Sequence, residues 1–223
     1  MEFKGPQPVD LKNVASLNRR FLGRLRASAD GEPLRRLLLP AHQTQIAGLG
    51  DLQLERLSGT PFLLFSLREY DVGLWSHVFD EGRNRDLFTQ ASATARPGGR
   101  LLAAALGYMW QLARDNPYAA RIICGASLDW CEQLAACTLI SLLVRTDEQP
   151  ELLEPRLAGD RDFWNRLLGP GLSSEQEIRK AAHVCALQKV LTCGNSSDYT
   201  RLRSAACTAP PPALRAAERP QRS

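Results

Sequence analysis

Six cysteines (Cys124, Cys131, Cys137, Cys185, Cys193, Cys207) and three histidines (His42, His77, His183) are the residues of this chain best suited to chemistry. A zinc site gathers its ligands in close pairs joined by a turn. No Cys-x-x-Cys pair occurs, and the tightest set is His183-x-Cys185 with Cys193 beyond. On a helix, positions two apart point to different faces. The expectation is therefore no metal site. Cys124, Cys131 and Cys137 fall in apolar, helix-patterned runs, where a thiol behaves as a small hydrophobe.

Nucleophilic catalysis finds little more support. Ser127 follows Gly125-Ala126 but continues into Leu128-Asp129, which is not the Gly-x-Ser-x-Gly turn of a nucleophile elbow. It reads better as a helix N-cap. A cysteine (Cys124, Cys185 or Cys193) could meet His42, His77 or His183 only through the fold, and nothing flanking them signals activation. The carboxylate pairs Asp80/Glu81 and Asp147/Glu148 lie in polar turns. There is no Gly-x-Gly-x-x-Gly and no P-loop. No catalytic residue, cofactor or small-molecule substrate is expected, and the chain does not read as an enzyme.

The elements that would position any site are helical. After a loose arm to Val9, Asp10 can cap a helix running to about Ala27. Leu11, Val14, Leu17, Phe21, Leu22 and Leu25 fall in an arc of roughly 140°, with only Asn18 intruding. Lys12, Arg19 and Arg26 sit opposite, with Arg20 and Arg24 on the flanks. Short helices follow from Pro33, from Ala41 to Ala47, and from a cap at Asp51 through Leu57. The last two have the outline of a helix-turn-helix offering Gln53, Glu55 and Arg56 outward. Phe62–Arg68 suits a helix or an extended apolar connector, with no convincing strand nearby to pair with it.

The stretch Leu101–Arg145 is the most apolar part of the chain. It predicts one helix ending near Arg114, a short one from Asn116-Pro117, and a longer one from Ser127. Ala103, Ala104 and Gly107 would let a neighbouring helix approach closely. Further helices are expected after Asp160 and from a Ser174/Glu177 capping box to about Thr192. The polar run 80–99 is the best internal linker, and the proline- and arginine-rich tail 208–223 is expected to be disordered.

The totals suit a chain able to bury a sizeable core: 223 residues, 44% hydrophobic, 23% charged and a net charge of +4. Two of those charges lie in the tail, which has three arginines and one glutamate. That mild balance does not argue for nucleic acid. The amino terminus has no apolar signal-peptide core, and Leu134–Val144 is too short to span a bilayer. A cytoplasmic protein with reduced thiols and no membrane association is expected.

Leu17–Leu25 (LNRRFLGRL), Ile46-Ala47-Gly48-Leu49, Gln53–Leu57 and Pro61–Arg68 (PFLLFSLR) together resemble the FlhD family. That family supplies one subunit of a bacterial flagellar transcription activator. The likeness covers about residues 12–71. It implies a helical amino-terminal module that dimerises; in the family, promoter contact lies further on and needs the partner subunit FlhC. No matching residues carry DNA contacts onto this chain.

The expectations are these. The fold is all-α, with a short-helix module over 1–79 and a larger helical bundle over 100–207. The function is that of a non-enzymatic bacterial regulatory protein, acting as a homodimer or with a protein partner. Leu17, Phe21, Leu22 and Leu25 are the candidate contact residues, with internal core as their competing role. Arg19, Arg20, Arg24 and Arg26 are the candidate surface for DNA, the alternative partner.

Overall fold

Pro8 opens the first helix because its missing N–H falls where a helix has no use for one. Asp10, two residues on, accepts the Gln7 N–H at 2.8 Å and fixes that end. The helix thus starts ahead of Asp10, inside the segment read from sequence as a loose arm. The computed structural model describes residues 5–27, 33–79, 99–147 and 152–193. Of the linker read over 80–99, residues 80–98 lie outside the described residues and Gly99 opens a helix; the tail over 208–223 and Cys207 also lie outside them.

The architecture is all-α. In order come α1 (Pro8–Ala27), α2 (Pro33–Arg36), α3 (Pro40–Ala47), α4 (Asp51–Ser58), α5 (Val72–Phe79), α6 (Gly99–Asp115), α7 (Pro117–Cys124), α8 (Leu128–Ala136), α9 (Leu139–Asp147), α10 (Arg161–Leu168) and α11 (Gln176–Cys193). A 3-10 turn, Pro170–Leu172, joins α10 to α11. Two two-residue strands, β1 (Phe65–Ser66) and β2 (Glu154–Pro155), pair antiparallel. No helix among the described residues is long and apolar enough to cross a membrane.

One hydrophobic cluster takes residues from both ends of the described chain. Val14, Phe21, Leu22 and Leu25 of α1 are fully buried, as are Phe62–Phe65, Ala105, Leu106 and Met109 of α6, and Trp164 and Leu167 of α10. The cluster is the dominant favourable contribution to the fold. Phe21 meets Phe65 with ring centroids 5.2 Å apart, and Trp75 stands edge-on to Trp130 at 4.9 Å.

Several helix ends are where the side chains place them. Asn116 caps α7 through the Ala119 N–H, Ser127 caps α8 through the Trp130 N–H, and Asp160 caps α10 through the Phe163 N–H. Other details differ. Gly50, not Asp51, precedes α4, and the Gln53 side chain accepts the Gly50 N–H. The helix expected from Ser127 breaks at Cys137–Thr138, because Thr138 Oγ1 accepts the Ser141 N–H and starts α9 afresh. Ser174 does not form its capping box; the Ser173 hydroxyl accepts the Glu175 N–H instead. Ala103 and Ala104 face solvent, and a side chain at Gly107 would meet nothing within 4 Å. The buried face of α6 runs instead through Leu101, Ala105, Leu106, Met109, Leu112 and Ala113.

Phe62–Leu67 is the extended connector of the two readings, and it is buried throughout. Its strand partner lies far along the chain, with Phe65 opposite Pro155 and Ser66 opposite Glu154. A buried extended segment must still satisfy its backbone groups, and polar side chains do much of that here.

Candidate functional site

Asn18 is the intruder on the apolar arc of α1, and the connector explains it. Fully buried, it donates to the carbonyls of Ser58 and Phe62 and to Thr60 Oγ1, and it accepts the Leu64 N–H at 2.8 Å. Arg156 serves the same segment from the other side. Its Nε donates to Leu63 O at 2.7 Å, one Nη to Phe65 O at 2.8 Å, and the other Nη to Glu69 Oε1 at 2.7 Å. The second Glu69 oxygen accepts the Ser66 hydroxyl at 2.7 Å and the Leu67 N–H at 2.9 Å.

This pair is sealed: the Arg156 side chain is 4% exposed and that of Glu69 is 0%. Such a charge pair is tolerated inside only when further hydrogen bonds support it, and here each nitrogen of Arg156 and each oxygen of Glu69 has a partner. The backbone around it takes an unusual form. Arg68 and Leu157 are the positive-φ non-glycine residues among those described, at 53° and 47°, and they flank Glu69 and Arg156. Gly125 (φ 70°) ends α7 beside them. A β-carbon there would fall 2.5 Å from Val190 Cγ1 and 3.3 Å from an Arg156 nitrogen, so only glycine fits. The Tyr70 hydroxyl donates to the Gly125 carbonyl. Each group of this centre already has a partner within the chain, and it is a structural knot.

The residues singled out from sequence are scattered. Leu17, Phe21, Leu22 and Leu25 sit in the intramolecular core, Leu17 at 7% exposure and the others at 0%. They line no surface of this chain. Arg19 and Arg20 are exposed and Arg24 half-buried. Arg26 is bonded to Asp51 at 2.8 Å, and that hydrogen bond holds the Asp51 carboxyl below its ordinary value. In the helix-turn-helix outline, Gln53 is spent on Gly50 and Arg56 donates to Leu172 O.

His42 is buried with Nε2 on Asn165 Oδ1 at 2.9 Å, His183 is buried with Nε2 on Gly171 O at 3.2 Å, and His77 is exposed. Neither buried histidine hydrogen-bonds a cysteine among the described residues. Cys124 and Cys131 are buried together, and burial pushes the Cys124 thiol up, away from the reactive thiolate. Cys185 and Cys193 are exposed. Among the described residues no three His, Cys, Asp or Glu side chains are grouped to hold a metal ion.

One open cleft brings chemistry-bearing groups together. Leu52, Glu55 and Arg56 of α4 face Arg179, Lys180 and His183 of α11 across a space of about 450 Å³. A run of four consecutive carbonyls organises its basic groups. Gly171 O bonds His183, Leu172 O accepts from Arg56 at 3.1 Å, and Ser173 O and Ser174 O accept from the same nitrogen of Arg179 at 2.7 and 3.4 Å. Burial holds the His183 imidazole below its ordinary value, against the hydrogen bond to Gly171 and together with the nearby Arg179 charge. Sequence reasoning passed over Arg179 and Lys180, because a helix with scattered cations gives no sign of what stands opposite.

The chain matches no protein-family model, no curated protein and no solved structure.

Proposed function

We propose that the protein is a non-enzymatic regulatory protein that works by protein–protein contact, as a homodimer formed through α9. The observation behind this reading is the unused apolar face of that helix. Leu139, Ile140, Leu142, Leu143 and Val144 make α9 aliphatic almost all round, and a helix of that kind normally needs cover on every side. Of the five only Leu142 is fully buried, at 0% exposure, whereas Ile140 stands 64% and Val144 37% exposed. Spaced four apart, Ile140 and Val144 share one helical face, which among the described residues is open at Ile140 and only partly covered at Val144.

The contact moves to α9 because the leucines of α1 are spent inside the chain. The sealed Glu69–Arg156 knot supports a non-enzymatic role, since its charged groups are committed to the backbone. The FlhD likeness of residues 12–71 gives the role a direction, the regulation of transcription. A direct DNA contact draws little support, with Arg26 paired to Asp51 and α4 presenting the carboxylates of Asp51 and Glu55 beside a single arginine.

Light scattering coupled to size exclusion on the full chain, across the micromolar range, tests the proposal. The expected result is a dimer that Ile140→Asp with Val144→Asp converts to a monomer with the wild-type circular-dichroism spectrum, its Tm falling only by what association contributed. A stable dimer needs a buried interface of about 1,000 Å² or more, which two buried aspartates would disrupt. A wild-type monomer throughout that range, or a dimer that survives both substitutions, overturns the proposal.

A further inference from the structure

We infer that the cleft between α4 and α11 is a binding site for a phosphoryl group carrying two negative charges. Arg56, Arg179 and Lys180 line it against one carboxylate, Glu55, leaving the lining two positive charges in excess. Among the described residues neither Arg56 nor Arg179 forms an ion pair; both donate to main-chain carbonyls. Lys180 has Glu177 at 3.2 Å, with side-chain exposures of 59% and 86%. A pair so exposed is weak and readily displaced.

The carbonyl run 171–174 also has a structural role, since these groups close the turn Pro170–Leu172 and the approach to α11, and arginine is a natural donor to them. That role uses a single nitrogen of each guanidinium. Arginine has five N–H donors in a planar fork suited to phosphate. Holding one nitrogen on the backbone fixes where the others stand, so two forks arrive at the cleft with less freedom left to lose on binding.

The remaining features fit a ligand larger than the phosphoryl group alone. The space of about 450 Å³ is within the size of small-molecule sites. Leu52, 71% exposed, supplies an apolar wall for the rest of the ligand. The site shares no lining residue with α9, so the inference stands or falls separately from self-association.

The test is calorimetry on the full chain at constant ionic strength, with three probes: inorganic phosphate, glycerol 3-phosphate and a short phosphoserine peptide. Saturable binding of at least one is expected, weakened tenfold or more by Arg56→Gln or by Arg179→Gln. Because the arginines also close the turn, Lys180→Gln is the second variant; it removes no main-chain contact and should weaken binding at least threefold with Tm unchanged. A preference for glycerol 3-phosphate identifies a free small phosphate as the source, and a preference for the peptide a phosphorylated protein; either supports the site. Absence of saturable binding overturns it, as does equal binding of acetate, or affinity that survives all three substitutions.

Discussion

The Glu69–Arg156 knot and the α4–α11 cleft use guanidinium groups to opposite ends. In the knot all three nitrogens of Arg156 are engaged, two with backbone carbonyls and one with a carboxylate, and the side chain is sealed from water. In the cleft each arginine leans one nitrogen on the main chain, Arg56 on one carbonyl and Arg179 on two, and keeps its charge unmatched at the edge of solvent. The first arrangement closes a buried segment that lacks regular partners. The second holds a charge ready for something outside the chain. The two arrangements thus differ in whether the guanidinium's hydrogen-bonding capacity is left open.

The largest expected effect breaks the closed side of that comparison. Arg156→Met should cost about 3–5 kcal/mol, because it strands Glu69 as an unpaired buried charge and removes the donors to Leu63 and Phe65. Urea unfolding of the purified variants measures it. Glu69→Gln keeps the shape but leaves the Arg156 guanidinium as the unpaired buried charge, and it should cost a similar amount. If Arg156→Met proved no more damaging than Arg179→Gln, the distinction between sealed and open arginines would fail.

Asn18→Ala should come next, at about 1–3 kcal/mol for the orphaned Leu64 N–H, read from the same unfolding curves. Asn18→Leu would fare no better, since extra apolar surface cannot supply the missing acceptor.

The smallest effect concerns His183 at the cleft. Burial holds its imidazole below the ordinary 6.5, with Arg179 acting in the same direction and the Gly171 bond opposing. The unfolded chain then takes up the proton first, so this contribution to stability is complete above pH 6.5 and is lost as the pH falls from there through the folded value. An NMR titration of the ring should give a midpoint under 6.5. A midpoint at or above that value would show that the cleft wall is wetter than its geometry implies.

Much of the helical frame was legible because short-range chemistry sets it. Asn116, Ser127 and Asp160 cap the helices that their types and positions foretell, and the apolar arc of α1 is the face that enters the core, except for Leu11, which stays exposed. What sequence could not supply were the long-range partners. Asn18 was visible as a polar residue out of place, but the carbonyls it serves lie 40 and 44 residues away. Phe62–Arg68 could not be identified as a strand, since its partner begins at Glu154. Arg56 was visible only as an outward residue of the helix-turn-helix outline, and no local pattern singled out Arg179 and Lys180; the three become a group only when α4 and α11 face each other.

The span between Phe62–Leu67 and Arg156 also sets an order of events during synthesis. Leu63 and its guanidinium partner are 93 residues apart. At 5–20 residues per second, the connector leaves the ribosome about 5–20 s before the residue that completes its backbone bonding. For that interval an apolar, strand-forming stretch stands exposed with one edge unpaired, the kind of surface that invites pairing with other chains. The nascent chain is most vulnerable there, and Arg156 marks the moment when the vulnerability can end.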